Sequence, residues 1–328
     1  MECSYNKSGI QLFNHYSSNS LSIGVQLQLT AKNDDYAKRA VAMADFEASK
    51  QLADGGFEGG RGKGKPVTFN TGQVLYGLCR TYKETKEKKY KDAAIKAADF
   101  LLSTMNRHGC FMKHLYKDHI HTYKTRVAWA LLYAYDITKE KKYEKAAIQN
   151  AQWALTQQLS NGFYKNSAFY PGQEPLVHTI AYTIQGMLEI GLITDTKEFI
   201  DSAKKAAEKM IELQRKDGSL QGSFNENWKS SVSWSCLTGN AQMSICWQKL
   251  YLKTKEEKFL DAAKKANEYN KKTQILDSKN PGIRGGIAGA YPLYGWYAPF
   301  CYINWGAKFF ADALMLEDDP EIADKIDG

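Results

Sequence analysis

The chain has 328 residues, of which 43% are hydrophobic and 12% aromatic, so it can bury one large core or two ordinary ones. Its 44 basic and 36 acidic residues give a formal net charge of +8, a mixed surface that argues against a basic nucleic-acid-binding tail. No run of about 18 apolar residues occurs, so we expect no membrane-spanning helix.

The N-terminal segment contains no apolar run of the kind found in signal peptides, so we expect a cytoplasmic protein. The six cysteines are scattered without a Cys-x-x-Cys pair, which favours a reducing compartment. We expect about the first 15 residues to be peripheral to the fold. The chain contains two kinds of repeated helix, and a first copy of the second, more buried kind is expected around residues 18–29.

An Ala-rich amphipathic helix of roughly four turns recurs five times along the chain. The copies begin at Tyr36, Tyr90, Tyr143, Phe199 and Phe259, which are 54, 53, 56 and 60 residues apart. The first four copies run into glycine turns that contain Gly55, Gly109, Gly162 and Gly218. Glycine at this place predicts a left-handed cap at the helix C-terminus.

A second kind of helix follows each glycine turn after a long loop, and it is richer in large apolar and aromatic residues, as buried helices are. Four copies align on a threonine that predicts an N-cap or a first-turn position: Thr71, Thr125, Thr179 and Thr238. A fifth copy at 303–307 has diverged. The segment 319–327 is interpreted as the remnant of a sixth helix of the first kind.

Alternating exposed and buried helices with a period above 50 residues can stack as an open solenoid or close into a ring. Six pairs without polar capping repeats favour closure. We therefore predict an all-α (α/α)6 toroid, formed by a single domain that spans residues 1–328. Helices of the second kind form the inner layer of such a ring, and helices of the first kind form the outer layer.

The inner helices contain five characteristic strings: Asn70-Thr-Gly-Gln-Val-Leu-Tyr, Tyr123-Lys-Thr-Arg-Val-Ala-Trp, His178-Thr-Ile-Ala-Tyr, Cys236-Leu-Thr-Gly-Asn-Ala and Asn304-Trp-Gly-Ala. They resemble a bacterial family found in polysaccharide gene clusters, whose members are described as similar to the prenyltransferase and terpene-cyclase toroid. The resemblance extends from about Asp54 to Leu314 and implies the toroidal fold. It selects no reaction, because this toroid carries glycoside hydrolases, polysaccharide lyases, sugar epimerases and isoprenoid enzymes.

The N-termini of the inner helices and the long loops are expected to share one face of the toroid, where helix dipoles favour anions. All six histidines lie in those loops or at inner-helix starts: His15, His108, His114, His119, His121 and His178. This face predicts a functional cleft, because concave surfaces with aromatic and convergent polar groups are the usual binding sites. The lysine-rich turns at the other end predict a solvated rim.

His178 is the leading catalytic candidate, because it begins an inner helix and has Tyr182 one turn away. One of the two could abstract the proton beside a uronate carboxylate while the other protonates the leaving oxygen. Arg126 could neutralise the carboxylate. This arrangement predicts β-elimination, the reaction of a polysaccharide lyase.

Other residues on the same face fit two alternative reactions. Hydrolysis needs two carboxylates about 5–10 Å apart, and Glu58 and Glu226 are the leading pair. Epimerisation could use two histidines, such as His121 and His178.

Aromatic rings with interspersed Arg and Asn suit sugars, because a pyranose stacks its apolar face on Trp or Tyr and its hydroxyls need donors and acceptors. Arginine also suits a carboxylate. We therefore expect an acidic poly- or oligosaccharide as the partner of this site. The expected substrate-binding residues are Asn70, Gln73, Tyr123, Lys124, Tyr170, Trp228, Trp234, Asn240, Arg284, Tyr294, Trp296 and Trp305.

Motifs of several other enzyme classes are missing from the sequence, which has no Walker loop, no dinucleotide-binding glycine motif and no Gly-x-Ser-x-Gly. His114, His119 and His121 lack the Cys or carboxylate that would complete a zinc set, so we expect no metal and no cofactor. Two further classes stay open. One is a non-catalytic protein of glycan binding or polysaccharide assembly; the other is an isoprenoid enzyme, although the Asp-x-Asp-Asp acid is absent.

Overall fold

A computed structural model describes residues 11–12, 34–59 and 64–326, which form ten α-helices in two alternating layers. The outer helices are α1 (Asp34–Ser49), α3 (Lys88–Ser103), α5 (Lys141–Leu155), α7 (Lys197–Glu212) and α9 (Glu257–Thr273). The inner helices are α2 (Thr68–Thr85), α4 (Thr125–Thr138), α6 (Val177–Ile193), α8 (Leu237–Thr254) and α10 (Asn304–Asp318).

The two layers differ in burial because their apolar residues are patterned differently. Along α6 every residue from Val177 to Gly191 is buried, whereas α5 buries only the face that includes Tyr143, Ala147 and Ala151. Successive inner helices pack against one another, and α2, α4, α6 and α8 each pack against the outer helix that follows. The architecture is the predicted (α/α)6 toroid. The helix predicted around residues 18–29 lies outside the described residues.

The turn glycines adopt the left-handed conformation, but the prediction that they cap the outer helices is wrong. Gly109 has a φ of +84° and lies well beyond the end of α3 at Ser103. Its N–H donates to the Asn106 carbonyl and closes a turn. A Cβ on Gly109 would collide with the backbone of Gln149 in α5. Glycine is therefore required by the close approach of the next outer helix.

The aligned threonines lie in the first turns of the inner helices, and Thr71 shows what the position does. Its hydroxyl donates to the Val67 carbonyl at 3.0 Å and accepts the N–H of Phe57 at 2.9 Å. The N-cap of α2 is Val67, whose side chain cannot cap a helix. The threonine thus ties the start of the inner helix to the preceding loop.

Short strands fasten the long loop between α9 and α10 onto the ring. β2 (Ser235–Cys236) lies directly before α8 and pairs antiparallel with β3 (Ala290–Tyr291). β4 (Cys301–Tyr302) precedes α10 and pairs in parallel with β1 (Gln11–Leu12). The loop is therefore held at the end of the ring where α8 and α10 begin.

The C-terminal segment forms a 3-10 helix, Pro320–Lys325, and not the remnant of an outer α-helix that the sequence indicated. Arg80 Nη2 on α2 donates to the Asp324 carbonyl at 3.2 Å. Lys249 Nζ on α8 donates to the Ile326 carbonyl at 2.8 Å. Both donors lie in the C-terminal halves of their helices, so this segment covers the end of the ring opposite the inner-helix N-termini.

Candidate active site

Polar residues from the inner helices meet inside the ring, near the ends where these helices begin. His178, the second residue of α6, has only 4% of its surface exposed. Its Nδ1 lies 2.6 Å from Gln242 Oε1 on α8. Because a carbonyl oxygen only accepts, Nδ1 carries the proton and Nε2 keeps the lone pair of a base.

The surroundings of His178 keep its imidazole neutral at physiological pH. Burial lowers its pKa to about 4; the hydrogen bond to Gln242 opposes this effect, and the positive charge of Arg126 adds to it. Four aromatic rings lie with their centroids 4.4–6.3 Å from the imidazole: Phe169, Tyr182, Tyr297 and Phe309. A neutral imidazole with a free Nε2 lone pair can accept a proton from a substrate or from water.

Tyr182 lies one helical turn after His178, and the two ring centroids are 4.4 Å apart. Burial raises the pKa of Tyr182 to about 12, against the opposing charge of Arg126. The guanidinium carbon of Arg126 lies 5.1 Å from the centroid of the phenol ring. The phenol therefore keeps its proton at neutral pH, and His178 and Tyr182 form an adjacent base and acid.

Arg126, the second residue of α4, is held inside the ring with 2% of its surface exposed. Its Nε donates to Gln73 Oε1 at 2.9 Å, and its Nη1 donates to Gln185 Oε1 at 3.2 Å. Four ring centroids lie 5.1–5.6 Å from its Cζ: those of Tyr76, Trp129, Tyr182 and Phe309. Amides and rings thus fix a desolvated cation in one orientation.

A second group of buried titratable residues occupies the short 3-10 helix Thr122–Lys124 and the residue before it. Lys124 is fully buried, and its Nζ has no hydrogen-bond partner among the described residues. Desolvation lowers the pKa of Lys124 to about 7. Burial, together with the charge of Lys124, lowers the pKa of His121 to about 3. Burial raises the pKa of Tyr123 well above its ordinary value.

Ring contacts join this group to the His178 site. The His121 and Tyr123 centroids are 4.5 Å apart, and those of Tyr123 and Tyr182 are 6.4 Å apart. The structure therefore brings four predicted site residues into one row, which runs from His121 through Tyr123 and Tyr182 to His178. Two neutral histidines lie at the two ends of this row.

Glu58 and Glu226, the leading pair for hydrolysis, lie in separate loops, and Glu174 lies in a third. Glu58 is half-buried in the loop before α2, where its backbone bridges to Pro66. Glu226 is exposed, and its carbonyl accepts a hydrogen bond from Asn161. Glu174 accepts hydrogen bonds from the hydroxyls of Ser223 and Ser231, which ties two loops together. Of these carboxylates, that of Glu174 ties loops together, whereas the contacts of Glu58 and Glu226 are made by their backbone atoms.

The predicted substrate-binding residues fall into three degrees of exposure. Gln73, Tyr123, Lys124, Trp228, Trp234 and Asn240 are buried. Asn70, Tyr170 and Trp305 are half-buried, and Arg284, Tyr294 and Trp296 are exposed. Two of the buried residues have structural partners: Trp228 Nε1 donates to the Asn161 carbonyl, and Asn240 Oδ1 accepts the Leu220 N–H. Whether any of these residues binds substrate stays a prediction.

Sequence reasoning missed Gln242, Gln185 and Tyr297. The two glutamines carried one signal, since each is a polar residue on an inner helix whose neighbours are apolar. Their partners, His178 and Arg126, lie on other helices and could not be assigned from spacing. Tyr297 lies in an aromatic-rich long loop expected on the site face, but its contact with His178 could not be assigned from spacing, because it reaches His178 from the loop between α9 and α10.

Within the described ranges, no three His, Cys, Asp or Glu side chains converge to hold a metal ion. Five cysteines in the described part of the chain are buried: Cys79, Cys110, Cys236, Cys246 and Cys301. No helix in this part of the chain is long and apolar enough to cross a membrane. Cys3 and His15 lie outside the described residues.

The fold and this site define the class of protein: an (α/α)6 toroid with a buried His-Tyr-Arg site where the inner helices begin. Residues 63–176 match the model of Glycosyl Hydrolase Family 88. The match covers about a third of the chain, ends directly before α6, and contains His121, Lys124 and Arg126. No curated protein matches the chain.

Solved structures match nearly the whole chain. An unsaturated glucuronyl hydrolase from Bacillus sp. GL1, responsible for the degradation of glycosaminoglycan, is 15% identical with a TM-score of 0.73 and covers 98% of this chain and 90% of its own. Cellobiose 2-epimerase from Bacillus thermoamylovorans B4167 is 15% identical with a TM-score of 0.70, covering 92% and 86%. A polysaccharide lyase is 13% identical with a TM-score of 0.68, covering 93% and 91%.

Likeness at this level of identity shows the fold, and it confirms the (α/α)6 toroid. Together with the family match, the similar enzymes support the prediction of an enzyme of the glycoside hydrolase type that acts on sugars. The matched proteins are hydrolases, epimerases and a lyase, and do not point specifically to a prenyltransferase-like family. They fit hydrolysis, which the sequence offered as an alternative, better than β-elimination.

Proposed function

We propose that this chain is a glycoside-hydrolase-type enzyme that acts on a uronate-containing oligosaccharide at the buried His-Tyr-Arg site. One observation carries the proposal. The segment that matches Glycosyl Hydrolase Family 88 contributes Arg126, a buried cation whose charge acts on both His178 and Tyr182. A fixed cation beside a neutral base and a protonated acid suits a sugar carboxylate next to the bond that breaks.

In place of the carboxylate pair of most glycosidases, the proposed hydrolytic step uses His178 as the base and Tyr182 as the acid. His178 Nε2 takes a proton from water, the water oxygen bonds to the anomeric carbon, and the glycosidic C–O bond breaks. Tyr182 donates its proton to the departing oxygen. The phenolate that forms is stabilised by Arg126, 5.1 Å from the ring. Proton transfer from the imidazolium to the phenolate then restores the resting state.

A sugar can enter the site only if Tyr297, whose side chain covers His178, moves. His178 and Tyr182 are 4% and 3% exposed, so a sugar cannot reach either in the described arrangement. Tyr297 lies against His178, with ring centroids 5.3 Å apart, and belongs to a loop rather than to a helix. Loop residues rearrange at lower cost than helical ones, so we expect Tyr297 to yield to the substrate.

A second candidate is β-elimination, and the spacing of the base and the acid favours it. His178 and Tyr182 are neighbours on one helix face, with centroids 4.4 Å apart, so both can act on the same side of one uronate ring. His178 would take the proton at C5, the C4–O bond would break, and Tyr182 would protonate the leaving oxygen. The electrons of the C5–H bond form a C4=C5 double bond conjugated with the carboxylate.

Two signals followed on the same samples separate these reactions: reducing ends, and ultraviolet absorbance of the conjugated double bond. Hydrolysis of saturated uronate oligosaccharides increases reducing ends without new absorbance. Hydrolysis of an unsaturated uronide increases reducing ends and lowers the absorbance, because the released sugar opens to a keto acid. β-Elimination increases both signals, whereas epimerisation changes neither and alters the sugar composition. We expect the hydrolytic result.

Site variants test the assignment of the base and the acid. We expect His178→Gln and Tyr182→Phe each to lower kcat by about 100-fold or more, the usual contribution of general acid–base groups. His108→Gln, which changes an exposed turn histidine, serves as the matched control and should leave kcat unchanged. Full activity of both site variants would contradict the mechanism. Binding without turnover by the wild type, across saturated and unsaturated uronates, would point to a glycan-binding protein.

A further inference from the structure

Exposed aromatic rings are concentrated in one stretch of the loop between α9 and α10. Within residues 291–300, four large hydrophobic side chains are exposed: Tyr291, Tyr294, Trp296 and Phe300. Tyr294 and Trp296 expose 65% and 54% of their surfaces. An exposed cluster of large rings marks a binding surface more often than scattered apolar residues do.

Before substrate displaces Tyr297, this stretch is held at two points on either side of Trp296. Gly295 lies so close to Trp234 that a Cβ on it would be 2.9 Å from the indole ring. Tyr297 is buried, and its ring centroid lies 5.3 Å from that of His178. Because residues 295 and 297 both pack inward, the side chain of Trp296 is directed to solvent.

The loop holds its rings outward despite unfavourable backbone conformations. Phe300 has a φ of +55° and Ala298 a φ of +49°, values that residues with a Cβ rarely adopt. Burial of the Phe300 ring does little to offset this backbone strain, since 59% of the residue is exposed. Hydrogen bonds from Phe300 N to the Leu293 carbonyl and from Gly295 N to the Pro292 carbonyl maintain the shape. Strained backbone of this kind collects at functional sites.

We propose that Tyr294, Trp296 and Phe300 form a stacking platform for the pyranose rings that extend outward from the sugar bound at His178. The inference rests on the proposed function and deepens it, since it makes the preferred substrate longer than a disaccharide. The platform is continuous with the His178 site, because Trp296 is the chain neighbour of Tyr297, whose ring contacts His178. Flat exposed rings suit the apolar faces of sugars.

The test measures affinity against oligosaccharide length by calorimetry on the full chain, with hyaluronan fragments of two, four and six sugars as probes. We expect the wild type to bind the four-sugar fragment about tenfold more tightly than the two-sugar fragment. Trp296→Ala should remove most of this difference and change two-sugar affinity less than about twofold. Trp296→Tyr, which keeps a flat ring, should restore it, whereas Trp296→Leu should not.

Phe46→Ala is the matched control, because Phe46 is an exposed ring on α1 (43%) outside the platform. Affinity that does not increase with length, or four-sugar affinity unchanged in Trp296→Ala and Tyr294→Ala, would overturn the platform. Two-sugar turnover would then still support the proposed function. Binding of no fragment, without turnover, would overturn both. A change of oligomeric state in the alanine variants, seen by light scattering, would show that the rings contact a second copy and not a glycan.

Discussion

His178 owes its neutral state to burial, which disfavours the charged imidazolium, and to the charge of Arg126, which adds to this effect; the hydrogen bond that its Nδ1 donates to Gln242 opposes it. In the unfolded chain the same imidazole titrates near its ordinary pKa of about 6.5. Protonation of this residue therefore opposes folding. A site built from buried titratable groups makes the stability of the protein depend on pH.

We predict that His178→Gln weakens the loss of stability in acid. The pKa of His178 is lowered to about 4 in the folded chain, so its stabilising contribution is full above about pH 6.5 and is lost as pH falls through 4. The shift corresponds to roughly 3 kcal/mol between those limits. Denaturant unfolding from pH 7.5 to 4 measures it, with His108→Gln as the control. An acid profile unchanged by His178→Gln would contradict the assignment.

Lys124 is a second buried base, and its amine has no hydrogen-bond partner among the described residues. Its pKa is lowered to about 7, so the stability that its neutral form provides above about pH 10.5 is lost as pH falls through 7. We predict that Lys124→Met raises Tm by about 2 °C or more at pH 7, because the cost of burying a charge disappears.

The matched control for this variant is Lys165→Met, which changes an exposed lysine in a nearby loop. The gain in Tm of Lys124→Met should shrink as pH rises toward 10, where the lysine is neutral in the folded protein. We also expect lower turnover of uronate substrates, since a stabilising change at a functional cation usually costs activity. A lower Tm at pH 7 would show that Lys124 has a structural role instead.

Contacts between inner helices position the site, and at Gly186 two of them approach closely. A Cβ at Gly186 on α6 would lie 2.5 Å from the Thr125 carbonyl carbon and 2.6 Å from Arg126 N on α4. Both atoms belong to the helix backbone and cannot move without moving α4. The glycine therefore fixes the distance between His178 and Arg126.

We predict that Gly186→Ala destabilises the protein by about 1–3 kcal/mol, as overpacking of a core does. Gly306→Ala on α10 is the matched control, because its Cβ would meet only side chains, at 3.0 Å or more, and alanine favours a helix by about 1 kcal/mol. Chemical unfolding of both variants measures the difference. Equal stability of the two would contradict this account of how α4 and α6 pack.

The two ends of the toroid perform different tasks. At the inner-helix C-terminal end, the described outer helices are joined by exposed ion pairs between successive repeats, such as Lys89 with Asp45 and Lys142 with Asp99. Each pair contributes little, because solvent screens it. The lysine-rich turns thus form the solvated rim that the sequence predicted, whereas the opposite end gathers the long loops with the aromatic rings and histidines that the structure describes there.

We predict that removing residues 320–328 lowers the stability of the whole ring and spares the chemistry of the site. The deletion exposes the pocket of Ile322 and Ile326, both buried, and removes the carbonyls that Arg80 and Lys249 bond to. Burial of these two isoleucine side chains alone contributes about 3–6 kcal/mol to the free energy of unfolding. Calorimetry should show a lower Tm, with kcat retained well below it. An unchanged Tm would contradict the closing role of this segment.

The sequence by itself determined the architecture. A repeat of 53 to 60 residues, an Ala-rich outer helix, a turn glycine and an aligned threonine each constrain the local backbone and together predict alternating helix pairs; the lack of polar capping repeats then favours a closed ring over an open solenoid. Local patterns also indicated which end would carry the site, because His178, Tyr182 and Arg126 lie near inner-helix N-termini. Periodicity suffices for these features because they depend on neighbours close in the chain.

Tertiary structure alone decided which buried polar groups meet. Gln242 reaches His178 from 64 residues away, and Tyr297 covers it from a loop whose path no periodicity describes. Burial also distinguished two tryptophans that the sequence treated alike. Trp234 is buried and packs beneath the loop, whereas Trp296 is exposed on the loop surface. Such pairings depend on how closely distant helices approach, which side-chain packing determines and a single sequence does not display.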